Sequence, residues 1–193
     1  MNKLIHAPDE VIKDWKAALD ILKEGNRRFV ENDLMPRDNH ADLASTKDGQ
    51  KPFAVILSCS DSRTSPEIFF DQKIGDICAP RNGGNIADEN VLGAVEFSAG
   101  ALGIPLVLVV GHNRCGAVYA AYSGKKDFWP NLQTGLDEIN SHIKDCPDAE
   151  AGMTANVKAQ VAKIKELPIV KEKGTMVIGA EYNIETGKVT FYE

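Results

Sequence analysis

A chain of 193 residues with a formal net charge of -6 and a pI near 5.3 is long enough for one domain with a full-sized core, read here as residues 1–193. The acidic balance argues against a nucleic-acid footprint and against an anionic membrane surface, so the expected partner is a small molecule or another protein. No apolar stretch reaches the length of a membrane span, and Met1 to Pro8 lacks the basic start, apolar middle and small-residue cleavage site of a signal peptide. The reading is a cytoplasmic protein, in which four cysteines fit metal or free-thiol roles better than two disulfides. Cys146 is left without a role.

The first element in chain order is an amphipathic helix from Asp9 to Glu31. Ile12, Trp15, Leu19, Leu22 and Phe29 recur there at helical spacing, with Lys, Glu and Asp on the other face. Gly25 predicts a break or bend, and residues 1–35 read as an N-terminal helical arm. Asn32 to Lys51 is polar, contains Pro36 and Gly49, and has no period that would bury a face, which predicts a loop. Phe53 to Leu57 is a short continuous apolar run ending in Ser58-Cys59, the pattern of a strand buried on both faces. It opens an α/β core over residues 52–193.

Ile74 to Ala79 predicts a weaker strand that ends at Pro80-Arg81-Asn82-Gly83-Gly84-Asn85, and Asn90 to Leu102 a helix. Pro105 to Val110 is the clearest buried strand, followed at once by Gly111-His112. Cys115 to Tyr122 opens a helix whose first amides would favour a thiolate at its start. Two more helices run through Leu132, Leu136, Ile139 and Ile143 and through Val157, Val161 and Ile164, separated by the polar turn Asp145-Cys146-Pro147-Asp148. Thr175 to Ala180 is a late strand, linked by Thr186-Gly187 to Lys188 to Tyr192 as a hairpin. Strands alternating with helices predict a mainly parallel central β-sheet flanked by helices, with the arm at one end and the hairpin at the other.

Two clusters carry the chemistry. Cys59-Ser60-Asp61-Ser62-Arg63 follows one buried run, and Gly111-His112-Asn113-Arg114-Cys115-Gly116 follows another. Cys59, His112 and Cys115 supply two sulfurs and an imidazole nitrogen, the protein ligands of a tetrahedral zinc site whose fourth position is open to water or substrate. Each of these residues taken singly is more often a core residue. Together they lie at the expected C-terminal ends of strands, the edge where open parallel sheets bind ligands.

The pattern Cys-x-Asp-x-Arg followed at a distance by His-x-x-Cys resembles the signature of the β-class carbonic anhydrases. The likeness runs from Leu22-Lys23-Glu24-Gly25-Asn26-Arg27-Arg28-Phe29, similar to the family's N-terminal helix that packs on a neighbouring subunit, to the last hairpin at Gly179–Val189. It implies a Zn2+ enzyme for reversible hydration of carbon dioxide to bicarbonate and a proton, working as a homodimer or higher homo-oligomer. Zinc makes hydroxide available near neutral pH and holds it beside the electrophilic carbon. Two thiolates cancel the metal's charge, so a further group must help. Asp61 is the natural candidate, since a carboxylate can accept the hydroxide's proton in a hydrogen bond, and Arg63 can hold it ionised in a two-pronged pair, a dyad that the resemblance implies at these positions. In some members this aspartate instead becomes the fourth zinc ligand at low pH. The simpler reading of Asp61 and Arg63 is a loop ion pair that only caps a helix.

Gln50 resembles the glutamine that in one branch hydrogen-bonds substrate. The other branch carries tryptophan three residues before the first cysteine, where this chain has Ile56, so the open-site branch is expected. The resemblance also puts Gly116, Cys78, Gly83 and Phe97 in the substrate pocket. The last three depart from the phenylalanine, valine and tyrosine often found there, which implies a roomier, less apolar pocket; Cys78 by itself reads as a strand residue rather than a redox centre. Two rival readings are a hydrolase of carbonyl sulfide or carbon disulfide, against which Ser60-Asp61-Ser62 argues, and a non-catalytic zinc scaffold or redox sensor, on which the Asp61 and Arg63 pair would be superfluous. His6, His40 and His142 are candidate proton shuttles and, more simply, surface residues.

Overall fold

The computed structural model describes residues 12–192. Strands β1 (Ala54–Cys59), β2 (Ile77–Cys78), β3 (Arg81–Asn82), β4 (Leu106–His112), β5 (Met176–Tyr182) and β6 (Val189–Tyr192) form one sheet in the order β2-β1-β4-β5-β6, with β3 also paired to β1. All pairings are parallel except the terminal hairpin of β5 and β6. The helices are α1 (Trp15–Glu31), α2 (Asn39–Thr46), α3 (Pro66–Phe69), α4 (Glu89–Gly100), α5 (Gly116–Tyr122), α6 (Pro130–Ile143), α7 (Ala149–Lys165) and α8 (Pro168–Lys173).

The period-2 pleat divides the buried strands between two cores. Val55, Leu57, Cys59, Val107, Val109 and Val177 pack with residues of α4, α5, α6 and α7. Ala54, Ile56, Leu106, Leu108, Val110 and Ile178 pack on the other face with Ala18, Leu19, Ile21 and Leu22 of α1 and Phe69 of α3. That is why β1 and β4 read as unbroken apolar runs.

Four local expectations are corrected. First, α1 starts at Trp15, with the Asp14 carboxylate accepting the Lys16 amide at 3.0 Å; the Asp9–Val11 part of the expected helix lies outside the described residues. Second, the helix runs through Gly25 without a break. A Cβ there would stand 1.8 Å from the Phe70 carbonyl oxygen, so the glycine lets α1 approach α3 closely. Third, the expected loop before β1 contains α2, which buries nothing and starts where Asp38 caps the Ala41 amide at 3.0 Å. A helix with no buried face leaves no apolar period to read. Fourth, the weak strand shrinks to the two residues of β2. The short α3 and α8, each begun by a proline in its first turn, fall below the length at which periodicity speaks.

The arm is also fastened to its own chain. The buried Asp71 carboxylate accepts Arg28 Nε at 2.6 Å and Arg37 Nη2 at 2.9 Å. Asn26 donates to the carbonyls of Phe69 and Gly187 at 3.0 and 2.8 Å and accepts the Val189 amide at 2.8 Å, joining α1 to α3 and the hairpin.

Candidate metal centre

The C-terminal ends of β1 and β4 lie side by side in the sheet, which brings Cys59 and His112 together, and the turn after His112 returns Cys115 to them. One ligand atom from each of the three residues lies within 4.8 Å of the others, and all three residues are buried. The sulfurs are 3.9 Å apart, far beyond a disulfide and close to the roughly 3.8 Å that two thiolates span on a tetrahedral zinc. His112 Nδ1 lies 2.9 Å from the Asn113 carbonyl, which makes that nitrogen the protonated one. Its Nε2 is then a lone pair, buried with no hydrogen-bond partner. An orphaned imidazole nitrogen facing two sulfurs fits a metal cation.

The thiols carry the same message. The Cys115 thiol, then burial in opposition, then His112 and the Gly84 amide leave Cys59 far below an ordinary thiol. The Cys59 thiolate, together with burial, pushes Cys115 well up, against the Val118 and Ala117 amides of α5. Cys115 is the N-cap of α5 without a side-chain capping bond, so the helix start acts in the expected direction but is overruled. A cation between the sulfurs lets both ionise.

Asp61 sits at the rim. Arg63 donates to it from Nε at 2.9 Å, from Nη2 at 2.6 Å and from its own backbone amide at 2.9 Å. These bonds hold the Asp61 carboxyl far below the usual carboxylate range against a modest burial penalty. The carboxylate is committed to Arg63 and is no member of the three-donor group.

The other expected residues divide. Gly116 opens α5 directly after Cys115. Gly83 lies in the loop between β3 and α4, beside an open hollow of about 270 Å³ also lined by Asn82, Asp88, Leu132 and Gly135. Cys78 pairs with Val55, four residues back along β1 from Cys59; burial pushes its thiol up, with a Ser98 hydrogen bond opposing. Phe97 is exposed on α4. Gln50 is exposed ahead of β1, and the six residues of that strand put roughly 16 Å between its two ends. Gln50 and Cys78 therefore stand apart from this chain's own donor cluster. His40 and His142 are exposed, and His6 lies outside the described residues.

Sequence reading missed the residues that hold the loops. Arg81 donates from Nε to the Cys59 carbonyl at 2.9 Å, from Nη2 to the Asp61 carbonyl at 2.7 Å and from Nη1 to the Ser65 hydroxyl at 3.2 Å. The Thr64 hydroxyl donates to the Cys59 and Asp61 carbonyls at 2.9 and 3.0 Å. The only hints were Thr64 directly after the first cluster and an arginine at the end of the weaker strand.

A mainly parallel α/β sheet that brings two sulfurs and one imidazole together at the C-terminal ends of its strands carries the donor set of a metal site. Comparison makes the assignment specific. The carbonic anhydrase sequence family matches residues 54–189. Carbonic anhydrase 2 of Mycobacterium tuberculosis is 45% identical over 117 residues, 58% of this chain and 53% of that protein, so the chain spans about half the length of this curated relative. Carbonic anhydrase 1 of Escherichia coli O157:H7 is 32% identical over 165 residues, 75% of each chain. The solved β-carbonic anhydrase CcaA superposes with a TM-score of 0.70 at 26% identity, over 92% of this chain and 88% of that one. The chain belongs to the β-class carbonic anhydrase family.

Proposed function

We propose that the protein is a zinc-dependent carbonic anhydrase, interconverting carbon dioxide and bicarbonate, with Cys59, His112 and Cys115 as the protein ligands. The orphaned Nε2 of His112 beside two sulfurs 3.9 Å apart carries this reading. When bound, zinc would supply the Lewis acidity that ionises water near neutral pH.

The chain's own residues do the rest. The Asn113 carbonyl fixes the His112 tautomer that leaves Nε2 free. Asp61 keeps an ionised acceptor at the rim for the proton of the nucleophile, and Arg63 keeps it ionised and aimed. Arg81 and Thr64 fix the backbone that carries both Cys59 and Asp61. Gly83 and Gly116 leave space beside the cluster for a small substrate.

Gln50 at the opposite end of β1 would meet a donor cluster only on a second copy of the chain, which favours a homodimer or larger homo-oligomer. The four free thiols suit a reducing, cytoplasmic setting, and no helix among the described residues is long and apolar enough to cross a membrane. One domain spanning the whole chain remains our reading.

The test joins metal content to turnover. Purified protein should carry one zinc per chain, and Cys59→Ala, His112→Ala and Cys115→Ala should each lower zinc and abolish hydration together. Full hydration activity in a metal-free variant would sink the proposal. Carbonyl sulfide hydrolysis, measured on the same samples, should be the slower reaction.

A further inference from the structure

On the face of α7 that packs on the sheet, among Met153, Val157 and Ile164, two amide side chains are fully buried one turn apart: Asn156 and Gln160. Polar groups are costly in such a place unless they are paired, and here they are paired in a directed chain. Asn156 Nδ2 donates to the Gly84 carbonyl at 2.9 Å. Gln160 Nε2 donates to Asn156 Oδ1 at 3.1 Å, which fixes which end of the Asn156 amide faces Gly84. Gln160 Oε1 accepts the Ala87 amide at 2.9 Å. Both side chains thus grip the loop between β3 and α4 from the side away from the donor cluster.

That loop touches the cluster on its other side. The Gly84 amide donates to Cys59 Sγ at 3.4 Å. Gly84 and Asn85 both have positive φ, 81° and 49°, a left-handed conformation that glycine and asparagine adopt more readily than other residues. A Cβ on Gly84 would meet Ile139 Cδ1 at 2.5 Å and Ala117 Cβ at 3.3 Å, so the loop is wedged between α7 and the pair α5 and α6. The loop base is closed independently, by Asn82 donating to the Ile86 carbonyl at 2.7 Å and accepting the Ile86 amide at 2.8 Å. Asn82 therefore anchors the base, while the direction of the Gly84 amide depends on the grip at its carbonyl.

We infer that Asn156, oriented by Gln160, is a positioning residue for the metal centre: it holds Gly84 so that its N–H stays aimed at the Cys59 sulfur. The inference rests on the zinc reading above. An N–H donated to a thiolate withdraws charge from sulfur, so its loss raises the sulfur lone pair in energy, and loosening the groups behind a ligand weakens metal binding.

The test uses cobalt(II) in place of zinc, because its sulfur-to-metal charge-transfer absorption reports on the sulfur directly, together with zinc affinity by competition with a chromogenic chelator. Asn156→Leu keeps the branched shape of the side chain but removes the donor. It should move the charge-transfer band to lower energy and weaken zinc binding about tenfold. Gln160→Met should shift both readouts in the same direction by less, and it decides the matter on those readouts if Asn156→Leu does not fold. Ile164→Ala opens a cavity on the same helix without touching the loop, and should lower thermal stability while leaving band and affinity in place. An unshifted band and unchanged affinity in Asn156→Leu overturn the inference alone, as do equal shifts in Ile164→Ala. Wild-type protein that takes up no cobalt overturns the metal centre, and this inference with it.

Discussion

Asp61 receives three hydrogen bonds from a single neighbour, Arg63, and that geometry separates its role from metal binding. Asp61→Asn leaves all three sulfur and nitrogen donors untouched while removing the charged acceptor. It should retain zinc yet lose most of the turnover, with the loss in the chemical and proton steps; near wild-type hydration with zinc bound would make the pair merely structural. Arg63→Ala removes the largest influence holding the Asp61 carboxyl down. The Asp61 pKa then rises toward the ordinary carboxylate range, the ionised form is lost at a higher pH on acidification, and the acid edge of the activity profile should move upward at constant zinc content. A pH profile unmoved by Arg63→Ala would remove Asp61 from the mechanism. These two residues were legible because their types and spacing next to a cysteine have few other uses. Arg81, Asn156 and Gln160 were not, since they act on backbone groups brought near only by folding, and an amide on a helix face looks like any solvated side chain.

Elements meet where side chains are absent or paired. Gly25 is the clearest case, because local propensity and packing there predict opposite signs. In an isolated helix Gly→Ala would stabilise by up to about 1 kcal/mol. Here the added Cβ meets the Phe70 carbonyl at 1.8 Å, and backbone cannot swing aside as a side chain would. We expect Gly25→Ala to destabilise by about 1 to 3 kcal/mol or more, read as a lower urea midpoint at unchanged slope. A gain in stability would show that α1 does not press on α3 in solution. The same residue explains a misreading: glycine within a helical pattern suggests a bend when only the chain is seen, and close approach when the neighbour is.

At the scale of the whole molecule, the sheet gathers candidate ligands that lie 53 residues apart in sequence, taking Cys59 and His112 at the ends of β1 and β4. A cation joining them to Cys115 ties two strand ends and a helix start together, so stability should depend on metal. At a free zinc concentration of 100 times Kd the linkage is about 2.7 kcal/mol, which for a chain of this size is a Tm change of roughly 5 to 10 °C. Calorimetry before and after removal of zinc with a strong chelator should find that loss, reversed by adding zinc back; an unchanged Tm would mean that the site holds no metal in the folded protein. Sedimentation at micromolar concentration should find a homodimer or larger, with a fully active monomer ruling out any need for Gln50 from a second copy.

Taken alone, the sequence determined the order of the main strands and helices, because a parallel sheet buried on both faces writes unbroken apolar runs and its amphipathic helices write a 3.6-residue period. It also determined the three donor residues, whose types are chemically distinctive, and the Asp61–Arg63 pair, whose spacing is short. Tertiary structure decided what depends on neighbours distant in sequence: that α1 packs unbroken on its own sheet, that Gln50 and Cys78 stand away from the donors of their own chain, and that Arg81 and Asn156 hold the loops in place. Periodicity reports which face of an element is apolar, whereas a hydrogen bond to a backbone carbonyl forms only once the fold has set its direction and distance.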